Sequence, residues 1–319
     1  MVVGSEWDPE ATVTVHHGET LDLLRKLPDA SAQLVITSPP YNLAKAYERT
    51  RRRSATEYVA EQATVIDECV RLLSPGGSLC WQVGNHVSDG SIVPLDILLY
   101  PAFAVHDDLV LRNRIVWHFE HGLHCSRRLS GRYEVILWFT KGNAYRFDLD
   151  PIRVPQKYPG KRAWKGPKAG EYTGHPLGKN PGDVWIFPNV KANHVEKTSH
   201  PCQFPIELVE RFVLATTSPG DLVVDPYLGV GSTACAAVLH GRRAAGAEIV
   251  GEYVRIAGER IELAARGELQ TRPMDRAVHR PSPTSALLRR DATPPPKRAA
   301  RRRSPAQGLR IAMSATPGE

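Results

Sequence analysis

The chain has 319 residues, 42% hydrophobic and 24% charged, an ordinary globular balance that allows one large domain or two modest ones. The formal net charge of +7 lies wholly in 268–319, which hold 11 Lys/Arg and 4 Asp/Glu, while 1–267 hold 30 of each sign. The five cysteines form no C-x-x-C pair, no basic-then-apolar leader opens the chain, and no apolar run reaches the roughly 20 residues of a membrane span, so a disulfide framework and a membrane protein are excluded and a cytoplasmic one is expected.

The first strand signal is Leu34-Val35-Ile36, which ends in Thr37-Ser38-Pro39-Pro40-Tyr41. Tyr58 to Leu73 carries apolar residues at 59, 66, 70 and 73, a helical spacing. Ser74-Pro75-Gly76-Gly77 stops that helix, and Ser78 to Val83 resumes as a strand. The richest apolar stretch, 92–105, is broken by Pro94, Asp96 and Pro101. Ile115 to Phe119 and Glu134 to Phe139 read as further strands.

Between Lys141 and Lys179 the character changes, with nine Lys/Arg against three acids and no sustained period. Tyr145, Phe147, Tyr158, Trp164 and Tyr172 interleave with the charges. This suits an inserted surface that meets a polyanion, with a solvated loop as the alternative.

Regular patterning returns after Asp183. Pro205 opens a helix with Val209, Phe212, Val213 and Thr216 on one face, and Ser218-Pro219-Gly220 ends it. Leu222 to Val224 is a strand, Thr233 to His240 a small-residue helix, Ala244 to Ile249 a strand and Tyr253 to Ala265 the last helix. Such alternation predicts an α/β fold. Beyond it, 268–319 holds eight prolines and few apolar residues, the composition of a disordered basic tail.

Two turns carry chemistry. After strand 222–224 comes Asp225-Pro226-Tyr227-Leu228-Gly229-Val230-Gly231-Ser232, then a helix, then Glu248 at the tip of the next strand. Backbone can approach a ligand at such a turn, and Glu248 can accept bonds from a ribose diol. A carboxylate beside the turn repels a pyrophosphate, so Asp225 suits a cofactor with a cationic end, such as S-adenosylmethionine. In the other turn, two prolines stiffen Ser38-Pro39-Pro40-Tyr41. The Ser38 hydroxyl and Pro39 carbonyl can accept bonds from an exocyclic amino group while Tyr41 offers a ring for stacking. Fixed acceptors aim the nitrogen lone pair at a methyl group without a covalent enzyme intermediate.

These motifs resemble the β-class, permuted DNA amino-methyltransferases, in which an S/D/N-P-P-Y motif precedes a target recognition region and then the cofactor motifs. Here the order is Ser38 to Tyr41, the basic stretch, His200-Pro201-Cys202-Gln203-Phe204-Pro205, Asp225 to Ser232, and Glu248. Leu73 to Ser78 and Arg132 to Trp138 match segments between them, so the resemblance spans about 13–265. It implies a Rossmann-like, seven-stranded, mostly parallel sheet. Strands 34–36 and 222–224 are expected side by side in it, because Ser38 must present an amino group to the methyl of a cofactor bound at Gly229 and Gly231. The resemblance divides the chain into a catalytic half (1–142), a target-recognition insertion (143–182), a cofactor-binding half (183–267) and the tail (268–319). Ser38, Pro39, Pro40 and Tyr41 would hold and activate a flipped base of double-stranded DNA. Asp225, Tyr227, Gly229, Gly231 and Ser232 would line S-adenosylmethionine, Glu248 would hold its ribose and Phe204 would pack beside it. Tyr227 stands where the family usually has Phe, and Gly229-Val230-Gly231-Ser232 where it has G-S-G-T. Ser38 favours N4 of cytosine, with N6 of adenine as the alternative, and a cognate restriction endonuclease is an expected partner.

Other readings carry less. An RNA or protein-glutamine methyltransferase usually places its cofactor glycines before the P-P-Y motif, the reverse of the order here. A DNA-binding protein that has lost catalysis does not need both motifs intact. Pro201-Cys202 resembles the cytosine-C5 nucleophile, but no Glu-Asn-Val follows it. His118, His121, His124 and Cys125 follow no common zinc spacing, and His16-His17 reads as an exposed pair, so no metal is expected.

Overall fold

A computed structural model describes residues 3–4, 6–41, 54–88, 90–119, 122, 124–191, 193–274 and 276. The first half contains β1 (Val3–Gly4), β2 (Val13–His17), α1 (Thr20–Leu24), β3 (Ala32–Thr37), α2 (Ala55–Leu72), β4 (Leu73–Val83), β5 (Asn85–Ser88), β6 (Ser91–Pro94) and α3 (Leu95–Ala104). The second half contains β7 (Leu109–His118), β8 (Tyr133–Lys141), β9 (Val184–Ile186), α4 (Ile206–Thr216), β10 (Leu222–Asp225), α5 (Ser232–Leu239), β11 (Arg243–Glu248) and α6 (Gly251–Ala265).

The main sheet has the order β1-β2-β11-β10-β3-β4-β8-β7-β9 among the described residues. All its pairings are parallel except those of β8 with β4 and with β7. The resemblance implies seven strands, and the sheet has nine. The two extra strands are the outermost, β1 and β9, of two and three residues, too short to leave a pattern in the sequence. β3 and β10 are neighbours as expected, with Leu34 opposite Val223 and Val35 opposite Val224.

Burial on both faces explains the unbroken apolar runs of the central strands. In β3, Leu34 and Ile36 pack among α4, α5 and α6, whereas Val35 packs among α1, α2 and α3. Helix α2 opens on a capping box, in which Ser54 accepts from the Glu57 amide at 3.1 Å and Glu57 accepts from the Ser54 amide at 2.8 Å. The Pro-Gly-Gly turn after it becomes a bulge, because β3 pairs with Leu73 and then directly with Ser78. Two elements depart from the sequence reading. The interrupted stretch 92–105 forms the end of the β5–β6 hairpin and helix α3, with Pro94 at its N-cap and Pro101 inside it. Asp96, buried in the first turn of α3, is tolerated there because Arg114 pairs with it.

The aperiodic stretch after β8 holds a short 3₁₀ turn at Asp150–Ile152 and isolated bridges. It leaves the sheet at Lys141, at the end remote from Ser38, and is tied down where the Asp148 amide donates to the Ala215 carbonyl at 2.7 Å. The first residues of the stretch read as a tail are packed against the domain. Leu269 and Met274 pack on the core, and Arg272 pairs with the fully buried Glu207 of α4, which anchors the chain through 274. Residues 277–319 lie outside the described ones.

Candidate active site

Parallel strands deliver their carboxyl ends to one edge, and there the loops after β2, β3, β10 and β11 open a cleft. Segment 200–204, leading into α4, forms its far wall. Ser38, Pro39, Pro40, Tyr41, Phe204, Tyr227, Gly229, Ser232 and Glu248 all line it. Residues far apart along the chain thus face each other. Thr20 ties two of these loops by donating to the Pro226 carbonyl at 2.6 Å, and the Gly18 amide donates to the Glu248 carbonyl at 3.0 Å.

The catalytic turn is held by its own side chains. Tyr41 donates to Glu134 at 3.2 Å, and its oxygen lies 3.2 Å from the Ser38 hydroxyl. Gln82 donates to the same Glu134 oxygen. Burial, and then the adjoining Glu134 carboxylate, hold the Tyr41 phenol well above the ordinary range, so it keeps its proton. Tyr58 of α2 donates to the Pro40 carbonyl at 2.9 Å and braces the turn from outside.

Two expected cofactor residues do not reach the cleft. Asp225 is 1% exposed, and its carboxylate accepts from Thr37 at 2.6 Å, from Thr233 at 2.6 Å and from the Tyr227 amide at 3.1 Å. It points inward because β10 is flanked by β3 and β11, and it joins the residue before Ser38 to the start of α5. Burial raises its carboxyl to about 6, against the pull of the two threonine hydroxyls. Gly231, with φ +78°, faces α6, where a Cβ would lie 3.1 Å from Ala257 Cβ. Only Gly229, with φ +54°, turns its open side to the cleft, toward His200. Tyr227 has a reason to be tyrosine, because Gln62 of α2 donates to its hydroxyl at 3.1 Å.

Sequence reasoning missed Glu19 and Glu61 in the lining and Glu134 behind it, and named His200 only within a motif, without a role. Glu19 sits two residues beyond β2, at the N-cap of α1, a position the strand order would have exposed. Glu134 opens an apolar strand, and only the antiparallel direction of β8 brings that opening to this edge. Among the described residues the lining holds three carboxylates, Glu19, Glu61 and Glu248, and neither lysine nor arginine. Burial raises the Glu248 carboxyl, while the amides of Val250, Gly229 and Ile249 pull it down. An acidic, half-apolar cleft of this kind fits a cationic ligand and disfavours a pyrophosphate.

A family model described as DNA methylase matches residues 32–259, from β3 into α6. The Type II methyltransferase M.BglII of Bacillus subtilis is 51% identical over 244 residues, which cover 76% of this chain and 67% of that protein. The DNA adenine methyltransferase YhdJ of Escherichia coli (strain K12) is 31% identical over 258 residues, covering 79% of this chain and 83% of that protein. Among solved structures, TTHA0409 of Thermus thermophilus in complex with S-adenosyl-L-methionine aligns at 28% identity with a TM-score of 0.55, over 79% of this chain and 96% of that one. The cleft geometry and the span of the family match agree, and the chain belongs to the DNA methylase family of N4-cytosine and N6-adenine amino-methyltransferases.

Proposed function

We propose that this chain transfers a methyl group from S-adenosylmethionine to the exocyclic amino group of a base flipped out of double-stranded DNA, with N4 of cytosine preferred. The observation that carries the reading is the opening of Ser38 and Tyr41 on the same cleft as Gly229 and Glu248. The acidic lining suits the cofactor's positive charge, Glu248 its ribose, and Phe204 and Tyr227 its flat adenine. When bound, the cofactor supplies an electrophilic methyl group. Ser38 and the Pro39 carbonyl hold the amino group, and Tyr41 stacks on the base. Asp225 is reassigned from ligand to positioning residue, because it locks the Ser38 turn to the glycine turn.

The duplex meets two surfaces. The β7–β8 loop springs from the cleft edge and carries Arg127, Arg128, Arg132 and Leu129, which is 93% exposed. The insertion 143–182 adds Trp164, also 93% exposed, and Arg162 stacked 4.0 Å over Tyr172. The first borders the cleft and is suited to phosphates beside the flipped base. The second leaves the sheet at the far end but returns through β9, where Ile186 lies opposite His118 at the base of the β7–β8 loop, and is assigned to reading sequence. On this reading 1–142 is the catalytic half, 143–182 the target-recognition insertion and 183–267 the cofactor-binding half. The name of M.BglII supports pairing with a restriction endonuclease. Ser38 favours cytosine, whereas the name of YhdJ favours the second reading, adenine.

The test is methylation of duplex DNA with methyl-labelled S-adenosylmethionine, followed by mass spectrometry of the nucleosides. N4-methylcytosine is expected. N6-methyladenine alone would overturn the base preference, and label-free DNA would overturn the reading altogether.

A further inference from the structure

The Ser38–Tyr41–Glu134 chain does more than hold a turn in shape. A tyrosine hydroxyl has one proton, and Tyr41 gives it to the Glu134 carboxylate, an acceptor-only group when ionised. The remaining contact, 3.2 Å between the Ser38 and Tyr41 oxygens, must therefore be donated by Ser38. That leaves the lone pairs of Ser38 turned outward, toward the cleft. Without the carboxylate at its end, the chain could run in either direction, and a reversed Ser38 would present its proton to an amino group it is supposed to accept from.

We propose that Glu134 is a positioning residue for methyl transfer, which fixes the donor direction of Tyr41 and Ser38 and receives the proton that the methylated amino group gives up. The idea rests on the proposed methyl transfer and extends it by one residue. As the amino nitrogen takes the methyl group, the new N–C bond replaces the cofactor's S–C bond, whose electron pair stays on sulfur. The nitrogen is then left with one proton too many. Ser38 accepts that proton while passing its own to Tyr41, and Tyr41 passes its own to Glu134, which ends as a neutral carboxylic acid. Three protons shift by one hydrogen bond each, and no further reactant is needed.

The surroundings are built for this. Gln82 steadies the accepting oxygen of Glu134 from the adjoining strand, β4. Gly84 leaves the space, since a Cβ there would lie 3.1 Å from Tyr41 Cε2 and 3.2 Å from Glu134 Oε1.

The experiment compares wild type with Glu134→Gln, Tyr41→Phe and the double variant in single-turnover methylation, alongside affinities for S-adenosylmethionine and for duplex. Each single variant should slow transfer by about 10²-fold, the usual worth of a positioned proton acceptor, with both affinities within about twofold of wild type. The double variant should be no slower than either single one, because both cut the same chain. A second readout needs no turnover: the Tyr41 Cζ resonance in ¹³C-tyrosine-labelled protein should move in Glu134→Gln without DNA or cofactor. Wild-type rates in Glu134→Gln, losses that multiply in the double variant, or an unmoved Tyr41 resonance would each overturn the proposal. A wild-type chain that methylates no DNA base would instead sink the functional reading, while the resonance still decides whether Glu134 directs Tyr41. Should Glu134→Gln fail to fold, Tyr41→Phe carries the kinetic comparison alone.

Discussion

The loops after β10 and β11 lie side by side, and each begins with an acid that the sequence nominates for the cofactor. Their fates differ. Asp225 is enclosed by three protein donors, whereas Glu248 lines the cleft. Both side chains leave the sheet at the same edge, so position along the chain does not separate them. The neighbours do: Thr37 on β3 and Thr233 on α5 close over Asp225, and the first strand pair ends beside Glu248 with a glycine, Gly18. Glu248 also accepts from backbone amides, those of Val250, Gly229 and Ile249, yet it keeps a face to the cleft. An acid sealed under two side-chain hydroxyls acts as a joint, and an acid that still faces the cleft can act as a ligand.

The sharpest way to break this contrast is to remove each acid and measure stability and affinity separately. Asp225→Ala should destabilise the fold by about 3 kcal/mol in urea unfolding, since the buried Thr37 and Thr233 hydroxyls lose their acceptor. Cofactor affinity and transfer rate should fall together with it. A fully stable Asp225→Ala protein that merely bound cofactor weakly would restore its role as a ligand.

The acidity of the joint offers a second cut. Burial lifts the Asp225 carboxyl from 3.8 to about 6. The folded chain thus holds that proton more tightly than the unfolded one, so this contribution is complete below about pH 4 and is lost as pH rises through 6. Asp225→Asn should remove a slope worth up to about 3 kcal/mol across that window, read as unfolding free energy against pH. An unchanged slope would mean that the carboxyl is not buried as described.

At the gap the expectation is reversed. Glu248→Gln should weaken S-adenosylmethionine binding by about tenfold in calorimetry while the unfolding midpoint stays nearly unchanged. The smallest effect concerns the hydroxyl of Tyr227. Tyr227→Phe leaves the buried Gln62 short of a partner and should cost about 1 kcal/mol of stability with cofactor affinity intact. Loss of affinity instead would place that hydroxyl in the binding site.

Legibility in the sequence divides along the same line. The adjacency of β3 and β10 was legible because the reaction needs Ser38 and Gly229 at one place, a demand independent of any strand pattern. The motif residues at loop positions reached the cleft for that reason. Asp225 and Gly231 did not, since a motif names residues without saying which way each side chain turns. Glu19, Glu61 and Glu134 arrive from three other elements, and only the strand order and direction bring them together. Elements as short as β1, β9 and α1 leave too few positions for a period to show.

The antiparallel course of β8 has one more consequence, for how this site can change. Every other strand at the cleft contributes the loop after it, so an inserted or deleted loop residue there alters reach while the pairing is preserved. Glu134 belongs to the ladder itself, one residue before Val135, which pairs with Val83. A one-residue slip between β7 and β8 would exchange the two faces of the strand, sending a valine toward Tyr41 and a carboxylate into the apolar interior. Insertions or deletions within β8 itself are therefore expected to be buffered by bulges or to come in steps that preserve parity, a constraint on descent that the loops bearing the cofactor motifs do not share.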